Sequence, residues 1–176
     1  FSIGTETLGS IVSPSTRNGV TGLRPTFGRV SRAGAMALSW TMDKIGPMTR
    51  SALDCALVFD VIRGEDDKDL TVQNHPFNYP GKADLSKLKI GYLKDYFDAG
   101  RGAQRANDSI SLEVLKSLGA KLEPVKWVSD MPFGGMQAIL SAEAAAAFDA
   151  LTRSDRDTLL VRQNAGAWPN LFRAAR

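Results

Sequence analysis

Apolar residues return at helical spacing over 51–63, where Leu53, Leu57 and Val61, with Val58 and Ile62, predict one buried stripe. Ser51 supplies a cap, Asp54 follows three residues on as its capping-box partner, and Arg63 with Gly64 closes the helix. Further along, Leu88-Lys-Ile-Gly-Tyr-Leu93 alternates as a strand does. Ala103–Leu118 carries Ile110, Val114, Leu115 and Leu118 on one helical face ended by Gly119, and Leu122–Val128 reads as a second strand. Strand, helix and strand of these lengths form a βαβ unit, so the expected architecture is a parallel or mixed sheet covered by helices. An alanine-rich helix is expected over Ala138–Leu151, and the chain ends inside or just after another helix. Near the start, Phe-Ser-Ile reads as the tail of a strand, and Val20–Leu23 as a brief strand that Pro25 ends. Asp43-Lys44-Ile45-Gly46-Pro47 is expected to be a turn, and Asp130-Met-Pro-Phe-Gly-Gly a loop.

Composition narrows the class. The 176 residues are 43% hydrophobic and 23% charged, ordinary usage for one globular domain with a real core. The net charge of +3 comes from scattered residues with no long basic run, so no nucleic-acid partner is expected. One cysteine excludes an internal disulfide, and Cys55 in an apolar helix is expected to be a buried structural thiol. The single histidine, His75, lies in a proline-rich connector and is expected at the surface; no metal site or cofactor is expected. Glu65-Asp66-Asp67 with Asp69 lacks the ligand spacing of a calcium loop and reads as a solvated turn. Arg24, Arg29 and Arg32 are expected to be solvated loop arginines. With no signal peptide and no apolar run of spanning length, a cytoplasmic protein without membrane contact is expected. The start at Phe1, in what reads as a strand tail, suggests a fragment.

Glycines punctuate residues 1–34, and the chemistry on offer lies at Thr7-Leu8-Gly9-Ser10. A strand end that runs into Gly-Ser can bring a hydroxyl and several backbone N–H groups to one point, as acyl transfer requires; it can equally be a plain turn. A serine nucleophile also needs a base. His75 is poorly placed, and none of the lysines sits in an apolar, glycine-bounded setting that would depress its pKa. Either Ser10 is structural, or its base lies outside the chain.

Gly4-Thr-Glu-Thr-Leu-Gly-Ser-Ile-Val-Ser-Pro14, followed in order by Gly19-Val-Thr-Gly-Leu-Arg-Pro-Thr26, Gly28-Arg-Val-Ser31 and Asp43-Lys-Ile-Gly-Pro47, resembles the amidase signature family of serine amidohydrolases. The resemblance implies an α/β fold, a mixed, mostly parallel sheet flanked by helices. It implies that residues 1–176 are part of a single domain, incomplete at both ends. Within it, 1–50 hold the nucleophile loop and signature, 51–80 a helix and connector, and 81–176 the βαβ unit and further helices. Ser10 matches the family nucleophile, and the backbone N–H groups of Thr7, Leu8, Gly9 and Ser10 match its oxyanion hole. The family's Lys and cis-peptide serine lie upstream of residue 1 and are absent from this sequence. Implied is hydrolysis of a small-molecule carboxylic amide through a Ser-cis-Ser-Lys triad and a serine acyl-enzyme, with the chain inactive by itself; a homodimer is allowed. Glu6, Leu8 and Val12 stand where most or many members have Asp, Gly and Arg, read here as subgroup variation. Two alternatives stay open: the A subunit of a glutamine-dependent tRNA amidotransferase, which Val12 weakens, and a non-catalytic binding or assembly remnant.

Overall fold

The computed structural model describes residues 1–127 and 130–175 and forms two compact units, one from Phe1–Tyr79 with Phe133–Arg176 and the other from Pro80–Pro132. In the first, strands β1 (Ser2–Glu6), β2 (Thr21–Gly22) and β3 (Lys44–Thr49) form an antiparallel sheet in the order β1-β3-β2. The segment expected to be a turn at Asp43–Pro47 is therefore the start of the central strand. Gly46 and Pro47 look like local breakers, but neighbours on both edges override that preference. Pro47 makes one bond to the neighbour at Leu23, its carbonyl accepting the Leu23 N–H at 2.9 Å, and, having no N–H, returns none. Gly46 is required for space: a Cβ would lie 2.1 Å from the Leu23 carbonyl oxygen and 2.6 Å from Pro25 Cδ. Gly46→Ala should destabilise the unit by about 2–3 kcal/mol through overpacking, read as a lower urea midpoint; an unchanged midpoint would refute the close approach.

Two helices cover this sheet, α1 (Val12–Asn18) and α2 (Ala52–Ile62). Ser51 caps α2 as expected, its hydroxyl accepting the Asp54 N–H at 3.1 Å. The expected buried stripe is corrected: Leu53, Leu57 and Val61 are exposed, and Cys55, Ala56 and Phe59 are buried. The cause is close packing on β2 and β3 at Cys55, while Phe59 is covered by Phe77 and Arg29. Cys55 Sγ lies 3.1 Å from Thr49 Oγ1 and 3.5 Å from the Thr21 carbonyl, a buried structural thiol.

Arg24 is exposed as expected, but Arg29 and Arg32 are corrected, because their planar heads organise the connectors. Arg32 pairs with Asp69 at 2.9 Å, donates to Thr71 Oγ1 and the Trp40 carbonyl, and stacks 4.5 Å from the centre of the Phe27 ring. Asp69 is accordingly held far below the usual carboxylate range by Arg32, so it is not part of a freely solvated turn. Arg29 donates to the His75 carbonyl at 3.1 Å and lies over Phe59.

The chain re-enters this unit through α5 (Phe133–Ala147), α6 (Asp149–Arg153) and α7 (Trp168–Ala174). Gly134 and Gly135, expected in a loop, lie in the first turn of α5, and the helix expected over Ala138–Leu151 breaks at Phe148. Leu140, Ala144 and Ala145 are buried, and Phe148 stacks on Phe172 at 4.6 Å. The buried Asp157 pairs with Arg173 at 2.8 Å.

In the second unit, β4 (Lys89–Leu93), α3 (Lys94–Ala99), α4 (Gly102–Ser117) and β5 (Lys121–Val125) form the expected βαβ, with β4 and β5 parallel and Ile90 opposite Leu122. Val128, the last residue of the expected second strand, lies outside the described residues. The apolar face expected on α4 is only partly covered: Leu115 is half-buried, whereas Ile110, Val114 and Leu118 are exposed. With antiparallel strands in one unit and a parallel pair in the other, both flanked by helices, the fold is mixed α/β.

Candidate active site

Strand β1 delivers its last residue, Glu6, into the core, and residues 7–10 then turn into α1. Glu6 is fully buried; its Oε2 accepts the Ile11 and Val12 N–H groups at 2.8 and 3.0 Å, and Oε1 lies 3.3 Å from Arg24 Nη1. Ile11 at the helix cap offers no side-chain acceptor, so a carboxylate from the preceding strand satisfies these first amides. Between those anchors the chain must reverse sharply. Gly9 does so at φ +122°, a conformation closed to other L-residues, although a Cβ there would meet nothing within 4 Å.

Ser10 is exposed at the end of this turn and lines a cleft of about 1040 Å³. Thr7 and Asp43 share that cleft, as do Met36, Leu38 and Trp40 of the 36–42 loop and the aromatic rings of Phe148, Trp168 and Phe172. Among the described residues, neither the Ser10 hydroxyl nor the N–H groups of Leu8, Gly9 and Ser10 have a hydrogen-bond partner. Thr7, by contrast, is held twice: its hydroxyl donates to Asp43 Oδ1 at 2.5 Å, and its carbonyl accepts Lys44 Nζ at 3.2 Å. The second oxygen of Asp43 accepts the N–H groups of Leu38 and Ser39 at 2.8 and 3.0 Å, which ties the loop that carries Ser10 to the facing cleft wall.

That wall is fixed from α5. Glu143 accepts the hydroxyl of the fully buried Ser39, the Thr41 N–H at 3.2 Å and the Thr41 hydroxyl at 2.9 Å. Burial by itself raises the Glu143 carboxyl, but these donors outweigh it and leave the group below its usual 4.5. Glu6 behaves alike: burial raises it, and the Val12 and Ile11 amides with Arg24 bring it below 4.5. A folded-state pKa below the unfolded one adds stability that is complete above the unfolded value and lost as the carboxylates protonate. The thermal midpoint should therefore hold above about pH 5 and fall as pH drops below 4.5. A flat profile between pH 5 and 3 in a thermal melt would contradict these two networks.

The expectation that no lysine has a depressed pKa is also corrected. Burial, followed by the neighbouring Arg24, lowers Lys44, which lines the cleft and whose ammonium also reaches the Met42 carbonyl. Local sequence hid it, because Lys44 sits in a Gly-Pro segment that reads as a turn. Glu143 was equally hidden, one acid in an alanine-rich helix whose partners lie about a hundred residues earlier. His75 is exposed as expected, its Nε2 beside Gln73 Oε1 at 2.9 Å, and does not line the cleft. The described residues contain no cluster that could hold a metal ion and no helix long and apolar enough to cross a membrane.

The Amidase family profile matches residues 1–174. The A subunit of glutamyl-tRNA(Gln) amidotransferase from Roseiflexus sp. (strain RS-1) is 39% identical over 127 residues, covering 70% of this chain and 26% of that protein. The crystal structure of native peptide amidase from Stenotrophomonas maltophilia superposes with a TM-score of 0.68 at 32% identity, over 88% of this chain and 33% of that one. The glutamyl-tRNA(Gln) amidotransferase A subunit from Thermotoga maritima gives a TM-score of 0.72 at 28% identity, over 89% and 37%. The chain thus spans roughly a quarter to a third of the length of these relatives.

Proposed function

The chain belongs to the amidase family, and from that premise we propose that it carries the nucleophile and oxyanion-binding loop of a serine amidohydrolase acting on a small-molecule carboxylic amide. The observation that carries this reading is the strand-turn-helix at Glu6–Val12. It presents the Ser10 hydroxyl to the cleft beside backbone N–H groups that nothing else engages. Ser10 Oγ attacks the amide carbon, and the carbonyl oxygen gains negative charge against the N–H groups of Thr7, Leu8, Gly9 and Ser10. The serine proton passes through the family's second serine and lysine to the leaving nitrogen, the C–N bond breaks, and ammonia or an amine departs. Water then attacks the Ser10 ester, releasing the acid and restoring the hydroxyl. Lys44 is not assigned the role of base, since its ammonium is engaged in donating to two carbonyls. The family match runs through both compact units, which supports reading them as parts of one domain.

A second reading keeps the same chemistry and changes its setting. The similarity to the amidotransferase A subunit from Roseiflexus supports a chain that releases ammonia from a glutamine amide for use within an assembly. Glutaminase activity that appears only with partner proteins favours this reading, and partner-independent hydrolysis of simple amides favours the first. Both require Ser10, so comparing amide hydrolysis by the complete enzyme with that of its Ser10→Ala variant tests the shared mechanism.

A further inference from the structure

The loop that bears Ser10 has firm anchors at its ends, and between them the Gly9 carbonyl accepts the Ser13 N–H at 2.8 Å. Downstream, Glu6 grips the Ile11 and Val12 amides. Between the anchors, the Leu8 side chain is 57% exposed, and the Gly9 backbone has open space where a side chain would be. Side-chain packing at Leu8 and Gly9 is therefore sparse next to the Thr7–Leu8 peptide plane. The plane's own direct contact is at the Thr7 carbonyl. Lys44 lies directly opposite Glu6 in the β1–β3 register, so its side chain starts beside the end of β1 and reaches the Thr7 carbonyl.

The described peptide bonds are all trans, so the Thr7 carbonyl and the Leu8 N–H point in opposite directions within one rigid plane. Holding the carbonyl therefore aims the N–H. Asp43, which grips the Thr7 hydroxyl, holds the side chain and not the following peptide. The Lys44 bond acts on that peptide directly. Its second acceptor, the Met42 carbonyl, steadies the ammonium from the strand's own approach.

On the reading of Ser10 as nucleophile, we propose that Lys44 is a positioning residue for acyl transfer, holding the Thr7 carbonyl so that the Leu8 N–H is aimed at the oxyanion. This role differs from that of a base, since Lys44 donates to the loop and takes no proton from Ser10. It also differs from a purely structural contact, because its loss should weaken transition-state binding more than substrate binding.

The test uses the complete enzyme with benzamide as substrate, read as ammonia release, and phenylboronic acid as inhibitor, whose boron bonds a serine oxygen to give an anionic tetrahedral adduct. Lys44→Met keeps the apolar stem and removes the donor. It should lower kcat by about 10–100-fold, up to the lower end of what loss of an oxyanion donor costs, with KM within about 2-fold. The phenylboronic acid inhibition constant should rise in parallel. Lys44→Arg keeps a donor in reach and should recover most of the loss in both readouts. A kcat loss with unchanged boronate affinity, or a Lys44→Met variant with wild-type kcat, overturns the proposal. If Lys44→Met fails to fold, Lys44→Arg and Lys44→Gln decide it by the same pair of readouts. Gln retains a donor on a shorter stem, so it should lose more than Arg in both, and equal values for the two variants and wild type overturn the proposal. Full activity in Ser10→Ala would instead remove the nucleophile reading itself, an outcome distinct from any result at Lys44.

Discussion

Ser10→Ala in the complete enzyme is expected to lower amide hydrolysis by about four orders of magnitude or more, with the fold intact. Removing a serine nucleophile leaves only the catalysis that binding and the oxyanion donors provide, and losses near a millionfold accompany such changes in serine hydrolases. Stability should hardly move, because the Ser10 side chain is exposed and its hydroxyl has no partner among the described residues. The two readouts together separate catalysis from folding: ammonia release measures the first, and a thermal or urea midpoint the second. Unaltered turnover in a folded Ser10→Ala protein would refute the mechanism in both its hydrolase and amidotransferase settings.

Glu6→Ala is expected to have the largest effect on stability, about 3 kcal/mol. The ion pair is not the main source of that cost, since the Arg24 side chain is 54% exposed and can return to water. The cost comes from the Ile11 and Val12 amides, which lose their acceptor at the start of α1 while Ile11 remains fully buried. Glu6→Gln keeps an acceptor and should cost less, about 1–2 kcal/mol. Glu6→Asp is one methylene too short for the present geometry and should fall between wild type and Ala. Urea midpoints at constant slope check the order. Activity should fall with Glu6→Ala beyond what the unfolded fraction explains, because the anchor downstream of Ser10 is lost. An Ala variant as stable as wild type would show that water replaces the carboxylate without penalty.

Much of the secondary structure was legible because its signals are local. Ser51 and Asp54 announce the start of α2, and alternation at Leu88–Leu93 with the following helical face announces the βαβ unit. Which face of each helix is buried was not legible. On α2, Leu53, Leu57 and Val61 are exposed, whereas Cys55 is buried against β2 and β3 and Phe59 against Phe77 and Arg29. The central strand β3 was hidden for a related reason, since Gly46 and Pro47 are breakers alone but fit a strand whose neighbour at Leu23 demands space and supplies a donor.

The sequence by itself determined the order of the glycine-bounded blocks around Ser10 and the family that they resemble, because those blocks encode turns and backbone amides that depend on few distant residues. Tertiary structure alone decided what holds that turn. Glu6 is coupled to Arg24, Thr7 to Asp43 and Lys44, and the facing loop to Glu143, through contacts that join residues up to 104 positions apart. No local pattern records such contacts, since a charged residue in a loop or helix is ordinarily solvated, and only its burial beside a particular donor makes it part of a site.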